Sequence, residues 1–251
     1  DQEGKILLAV DRPTGREQPE VLSWTSKEAG SFRIEIRGLE QGPVAQYTAI
    51  LTTDARPGVE KLAWQRASTL TNVAEELRRN PDPQAWRLAQ RNYLEALSFW
   101  SIASDDSSEG DTLYRLGELE RRLLLQDRVA IRHLRKALPL LRKAHLPFTE
   151  AQANTALGSS LLTIGKASDS STHFERAAEL FRELGDLPRE ATARNELAYS
   201  YQLQGKNQQA LVTFGDAIDC WRSARQPSEE ATALHNRGVL YWILGKTAEA
   251  R

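Results

Sequence analysis

The C-terminal part of the sequence repeats itself with a period of 40 residues. Ala151, Ala191 and Ala231 open three blocks that align without a gap. Gly158, Ala198 and Gly238 share one phase, and Gly165-Lys166, Gly205-Lys206 and Gly245-Lys246 share another. Phe174 pairs with Phe214, Ala177 with Ala217 and Phe181 with Trp221. The linking stretches 184–190 and 224–230 agree in character, with the proline one place earlier in the second. Self-similarity at this length specifies a stack of like units, each of which buries its apolar face only against a neighbour.

Earlier units fit with small phase shifts. Leu116-Gly117 matches Leu157-Gly158 at an offset of 41, whereas Leu134 and Ala137 match Phe174 and Ala177 at 40. One residue is therefore inserted between those two pairs. Further back, Tyr93, Ala96 and Trp100 fall in phase with Phe174, Ala177 and Phe181, and Asn80-Pro81-Asp82-Pro83 stands where later units have Gly-Lys. About five units result, and the last is expected to stop inside its second helix at Arg251.

Within a unit, apolar residues recur at three- and four-residue spacing, which predicts a helical hairpin. Gly165, Gly205 and Gly245 supply the left-handed residue that ends its first helix. Small residues at 158, 198 and 238 let the second helix approach closely, with Phe174 and Phe214 filling the space between. Ala177 and Ala217 do the same for the next unit's first helix.

The first 58 residues read differently. They hold six of the fifteen glycines and four of the ten prolines, so their apolar runs are short and bounded by turns. Short apolar runs at 5–10, 21–25, 31–37 and 47–53 are bounded by turn residues, and 31–37 alternates, with Phe32, Ile34 and Ile36 on one face. This predicts antiparallel strands. The expected class is mainly α: an α-solenoid over 59–251 preceded by a small antiparallel β segment, a partial β-sandwich, over 1–58.

Leu197-Ala198-x-x-Tyr201 followed by Ala210-x-x-x-Phe214-x-x-Ala217, and Leu157-Gly158-x-x-Leu161 followed by Ser170-x-x-x-Phe174-x-x-Ala177, resemble the tetratricopeptide repeat family. The longer period is similar to that of kinesin light chain and of many bacterial signalling scaffolds. Ser170 replaces the usual Ala, Arg237 the usual Leu, and Glu120 stands where an aromatic is common. In the front segment, Gly30-Ser31-Phe32-Arg33-Ile34-Glu35-Ile36-Arg37 carries a softer resemblance to a bacterial pre-peptidase C-terminal-like sandwich. The two together resemble bacterial proteins that end in a CHAT-type caspase-like protease domain. That resemblance implies catalytic residues beyond Arg251 and an intramolecular contact with a downstream domain.

No catalytic constellation stands out. Gly158-Ser159-Ser160-Leu161 lies inside a predicted helix and is not a nucleophile elbow. His133, His145, His173 and His235 show no metal-ligand spacing and read as surface or groove residues. The single cysteine, Cys220, excludes an internal disulfide and reads as a small buried apolar residue. Glu75-Glu76 and Glu229-Glu230 read as solvated or first-turn carboxylates. No cofactor, metal or enzyme activity is expected. A net charge of −1 disfavours nucleic acid as a partner, and no apolar run is long enough for a membrane span.

The expected partner is a protein or peptide on the concave face. By resemblance, that face is lined by the second, fifth, ninth, twelfth and thirteenth positions of each first helix. Those positions include Thr155 in one unit, Asn195, Tyr199, Gln202 and Leu203 in the next, His235, Val239, Trp242 and Ile243 in the third, and Arg122 in an earlier one. Of these, Thr155, Asn195, Tyr199, Gln202, His235, Trp242 and Arg122 are the expected partner-binding residues. Asn195 and His235 can hydrogen-bond a peptide, and Tyr199 and Trp242 offer apolar area with polar tips. Packing of those two aromatics against a neighbouring unit is the competing reading, as solvation is for Arg121-Arg122. A purely structural, self-associating role is a further alternative. The absence of Met fits an internal fragment. Localisation is open between a bacterial cytoplasm and, after removal of an upstream signal, the cell envelope.

Overall fold

The computed structural model describes residues 58–246 and 248. Among them every regular element is a helix: α1 (Gly58–Arg79), α2 (Pro83–Ala103), α3 (Asp106–Arg122), α4 (Asp127–Lys143), α5 (Pro147–Thr163), α6 (Ala167–Glu183), α7 (Leu187–Leu203), α8 (Asn207–Ser223) and α9 (Pro227–Ile243). Neighbouring helices pack in chain order, and α5 also touches α3 and α7. The result is a row of four complete hairpins followed by α9.

This corrects the expected fold class. A mixed class with a leading β segment is replaced by an all-helical solenoid, since the described residues contain no strand. The strands expected within 1–58 lie outside the described residues, apart from Gly58, which opens α1. The stack needs no sheet for its core, because each helix pair is covered by the next.

Local chemistry sets the helix ends. Asp82 caps α2 by accepting from the backbone N–H of Gln84 at 2.9 Å, and Pro83 occupies the first turn, where its missing N–H costs nothing. Asp186 caps α7 in the same way through the N–H of Arg189. From α3 onward each helix has 17 residues. Links of three residues join them, except over 123–126, where the inserted residue falls.

Every link after α2 turns on one residue with positive φ. Gly165, Gly185, Gly205 and Gly245 take φ of 79°, 73°, 74° and 74°. Ser104, Leu125, His145 and Arg225 adopt the same left-handed conformation without being glycine. At Gly165 the hydrogen bonds are those of a Schellman cap: Gly165 N–H donates to Leu162 O and Lys166 N–H to Leu161 O, both at 2.9 Å. Gly205 and Lys206 repeat the pair.

The core is a ladder of one aromatic or leucine per hairpin. Tyr93, Leu134, Phe174 and Phe214 occupy the equivalent place in α2, α4, α6 and α8, and all are fully buried. Each such burial contributes about 1.5–3 kcal/mol. A small residue on the preceding helix makes room for each. A Cβ at Gly158 would lie 2.8 Å from Phe174 Cε1, and one at Gly117 would lie 2.6 Å from Leu134 Cγ. Ala74 and Ala198 stand in the clusters of Tyr93 and Phe214.

Polar groups are also built into the stack. Glu75 accepts from the Tyr93 hydroxyl and pairs with Arg78 at 2.8 Å and Arg115 at 3.2 Å. Burial, the largest single influence, opposes its ionisation, but Arg115, Arg78 and the Tyr93 hydroxyl together hold its pKa below the usual carboxylate value. Glu75 is therefore a fixed strut between α1, α2 and α3 rather than a solvated carboxylate. Glu230 likewise is not free: it receives Arg222 at 2.8 Å.

Candidate partner-binding surface

The odd-numbered helices stand side by side. Glu75 of α1 meets Arg115 of α3, α5 touches both α3 and α7, and Asn195 of α7 accepts from Asn236 of α9 at 3.2 Å. The expected site residues all lie on helices of this row: Arg122 on α3, Thr155 on α5, Asn195, Tyr199 and Gln202 on α7, and His235 and Trp242 on α9.

Those residues differ in how free they are. Tyr199 and Trp242 are 45% and 69% exposed. His235 is exposed, and Gln202 is half-buried. Thr155 spends its hydroxyl on the Ala151 carbonyl at 3.0 Å, and Ser159 and Thr163 bond down the same helix. Asn195 is engaged with Asn236. Arg122 is exposed and reaches Glu118 at 3.5 Å, whereas Arg121 is held to Glu118 by two hydrogen bonds at 3.0 and 2.8 Å.

Residue character changes steadily along the row. Ala74 over Tyr93 sets the register of α1, which puts Glu75, Arg78 and Arg79 at its ninth, twelfth and thirteenth positions. Helix α3 places Glu118, Arg121 and Arg122 there, a second Glu-x-x-Arg-Arg with the same Glu–Arg bridge at 2.8 Å. Helix α5 has Ser159, Leu162 and Thr163. Helix α7 presents Tyr199 and Leu203, and α9 presents Val239, Trp242 and Ile243, all five exposed. Leu203, Val239 and Ile243, which their positions already assign to this face, add apolar surface beside the aromatics. Their spacing of four on each helix, in phase over 40 residues, was the available signal.

Glu196 sits beside this surface. Burial raises its carboxyl pKa, opposed by a hydrogen bond from Asn195 and by Arg121. Other polar residues serve the fold. Glu150 and Glu190, in phase just before Ala151 and Ala191, are buried and paired with Arg142 and Arg176 and with Arg194. The buried Glu120 bonds His133 Nδ1 at 2.7 Å and accepts from Gln90 at 2.9 Å. His173 bonds Asn154 at 2.9 Å. Two histidines read as surface or groove residues are thus tied into the stack. Cys220 is partly buried beside Ala191 and Trp221, and burial together with Glu190 raises its thiol pKa. No group of described residues is arranged to hold a metal ion, and no helix is long and apolar enough to cross a membrane.

Residues 149–223 and 191–251 match the tetratricopeptide repeat family. No curated protein matches the sequence. Among solved structures, BtubC (BKLC) from P. vanneervenii is similar at a TM-score of 0.60 and 18% identity, over 78% of this chain and 87% of that one. MamA residues 41-end from Desulfovibrio magneticus RS-1 gives 0.56 and 19%, over 74% and 89%. A Rap protein complexed with competence and sporulation factor gives 0.51 and 17%, over 76% of this chain but 52% of that one. At these identities the likeness is one of fold. None of these matches supports a pre-peptidase sandwich, a CHAT association or an intramolecular contact with a downstream domain. Residues 149–251 thus match the tetratricopeptide repeat family, and the described helices as a whole have a tetratricopeptide-like solenoid fold.

Proposed function

We propose that the protein is an interaction scaffold that binds a peptide or protein segment along the concave face formed by α3, α5, α7 and α9. The observation that carries this reading is the run of exposed apolar side chains in repeat phase: Tyr199, Leu203, Val239, Trp242 and Ile243. Large apolar groups left in water on neighbouring helices mark a surface meant to be covered. The Rap structure, whose fold is similar, was solved with a bound factor, which supports the same use of this fold.

Tyr199 and Trp242 are the anchors, with Gln202 and His235 supplying hydrogen bonds beside them. Asn195 and Thr155 hold the surface in shape, because their polar groups already bond within the stack. Arg122 offers charge at the other end of the row.

Selection of a random peptide display library on the full chain tests this. The selected peptides should bind the wild type and lose about 30-fold or more in affinity on combined Tyr199→Ala and Trp242→Ala, as for paired hot-spot residues. Undiminished binding to the double variant would reject the face.

A further inference from the structure

A second surface lies on the opposite side of the stack, on the outer faces of α2 and α4. Arg87 and Arg91 of α2 recur one unit later as Arg128 and Arg132 of α4, and Arg135 extends the second row. All five are exposed. The rows follow the i, i+4 spacing of one helix face, with Arg135 three residues after Arg132. Gln90 of α2 reaches Gln126 at the start of α4, so the two rows are neighbours.

Exposed Arg79, Arg182 and Arg225 also lack a described carboxylate partner but do not form a row, and many of the other surface guanidiniums are neutralised in place. Arg66, Arg142, Arg176, Arg189 and Arg222 each meet a carboxylate. No described carboxylate lies within ion-pair reach of the five. Their field is felt locally: Arg135, after burial, holds the pKa of His173 below its usual value. Glu95, one turn after Arg91 on α2, is occupied by Arg66 at 3.2 Å. In a chain of net charge −1, an unneutralised strip of five is a concentration of charge that composition does not require.

We infer that this strip docks an acidic, helical segment of a partner protein. Leu88 and Leu94 lie within it at 45% and 46% exposure. They offer apolar area that a protein helix uses and a phosphate backbone does not. A partner helix with carboxylates at i, i+4 and i+7 would match both rows, since the two helices share one pitch. The overall charge gives no long-range pull on nucleic acid. This inference is independent of the concave-face reading, because no residue is shared.

The test uses the full chain and a labelled helical peptide of about 20 residues with Glu at i, i+4, i+7 and Leu between. Anisotropy should show binding that weakens as NaCl rises from about 50 to about 300 mM. The triple variant Arg128→Glu, Arg132→Glu, Arg135→Glu should lose about tenfold or more in affinity, the equivalent of two or three exposed ion pairs. Its circular dichroism should remain that of the wild type. Arg87→Ala with Arg91→Ala should lose part of the affinity. Equal binding of a peptide with Lys in place of Glu would overturn the inference, as would an unchanged triple variant or no binding at low salt. Tighter binding of a 20-base-pair duplex of about the same length than of the Glu peptide would overturn it in favour of nucleic acid.

Discussion

Gly158 shows how one atom sets the spacing of a hairpin. A methyl group there would press on Phe174 at 2.8 Å, inside a ring that is itself fully buried. Gly158→Ala should therefore cost about 1–3 kcal/mol by overpacking, although alanine is the better helix former. Thermal unfolding followed by circular dichroism measures it, and Phe174→Leu in the same chain should recover part of the loss. A neutral Gly158→Ala would mean that the helices can separate freely. The phase of this glycine was legible from the 40-residue alignment, as was Phe174 opposite it. The left-handed turn residue was legible only where it is glycine. Leu125, His145 and Arg225 take the same conformation without being glycine, and nothing in their side chains announces it.

At the scale of the element, α6 carries a titrating contact. Burial first, and then Arg135, lower the pKa of His173 below 6.5, with Asp169 opposing. The unfolded chain therefore binds a proton that the folded chain refuses, at pH between the folded value and 6.5. Stability from this group is present above that window and is lost as pH falls through it. The urea midpoint should drop between about pH 7.5 and about pH 5.5, and His173→Gln should flatten that drop. An equal drop in both proteins would remove His173 as its source. Buried charge was the part of each element least legible in the sequence. Glu150 and Glu190 recur in phase before their alanines, but recurrence alone does not distinguish a buried Glu–Arg strut from a first-turn carboxylate. Burial of Glu75 depends on Tyr93 and Arg115, which lie on two other helices.

For the whole molecule, stability is a sum over hairpins and the seams between them. Helix α5 buries nine residues, Glu150 to Leu161 at their extremes, while α9 buries only Ala233 and Leu240. Amide exchange should be slowest in α4–α6 and fastest in α9, by local opening from that end. Uniform exchange rates would show that the stack opens as one unit instead. The solenoid itself was legible because a fixed period leaves few ways to arrange its copies. The front of the chain was read from short alternating runs. That signal is local and includes no partner strand, so the strand reading had far less to constrain it than the repeat.

The shared geometry of the links has a consequence for how such a protein can change. Gly185 and Arg225 turn the chain with φ of 73° and 55°, and each hands on to a helix of 17 residues. The joint before α7 and the joint before α9 are interchangeable parts. Length in this molecule is thus a quantity counted in whole hairpins, and losing or duplicating one leaves every remaining joint with a geometry it already has.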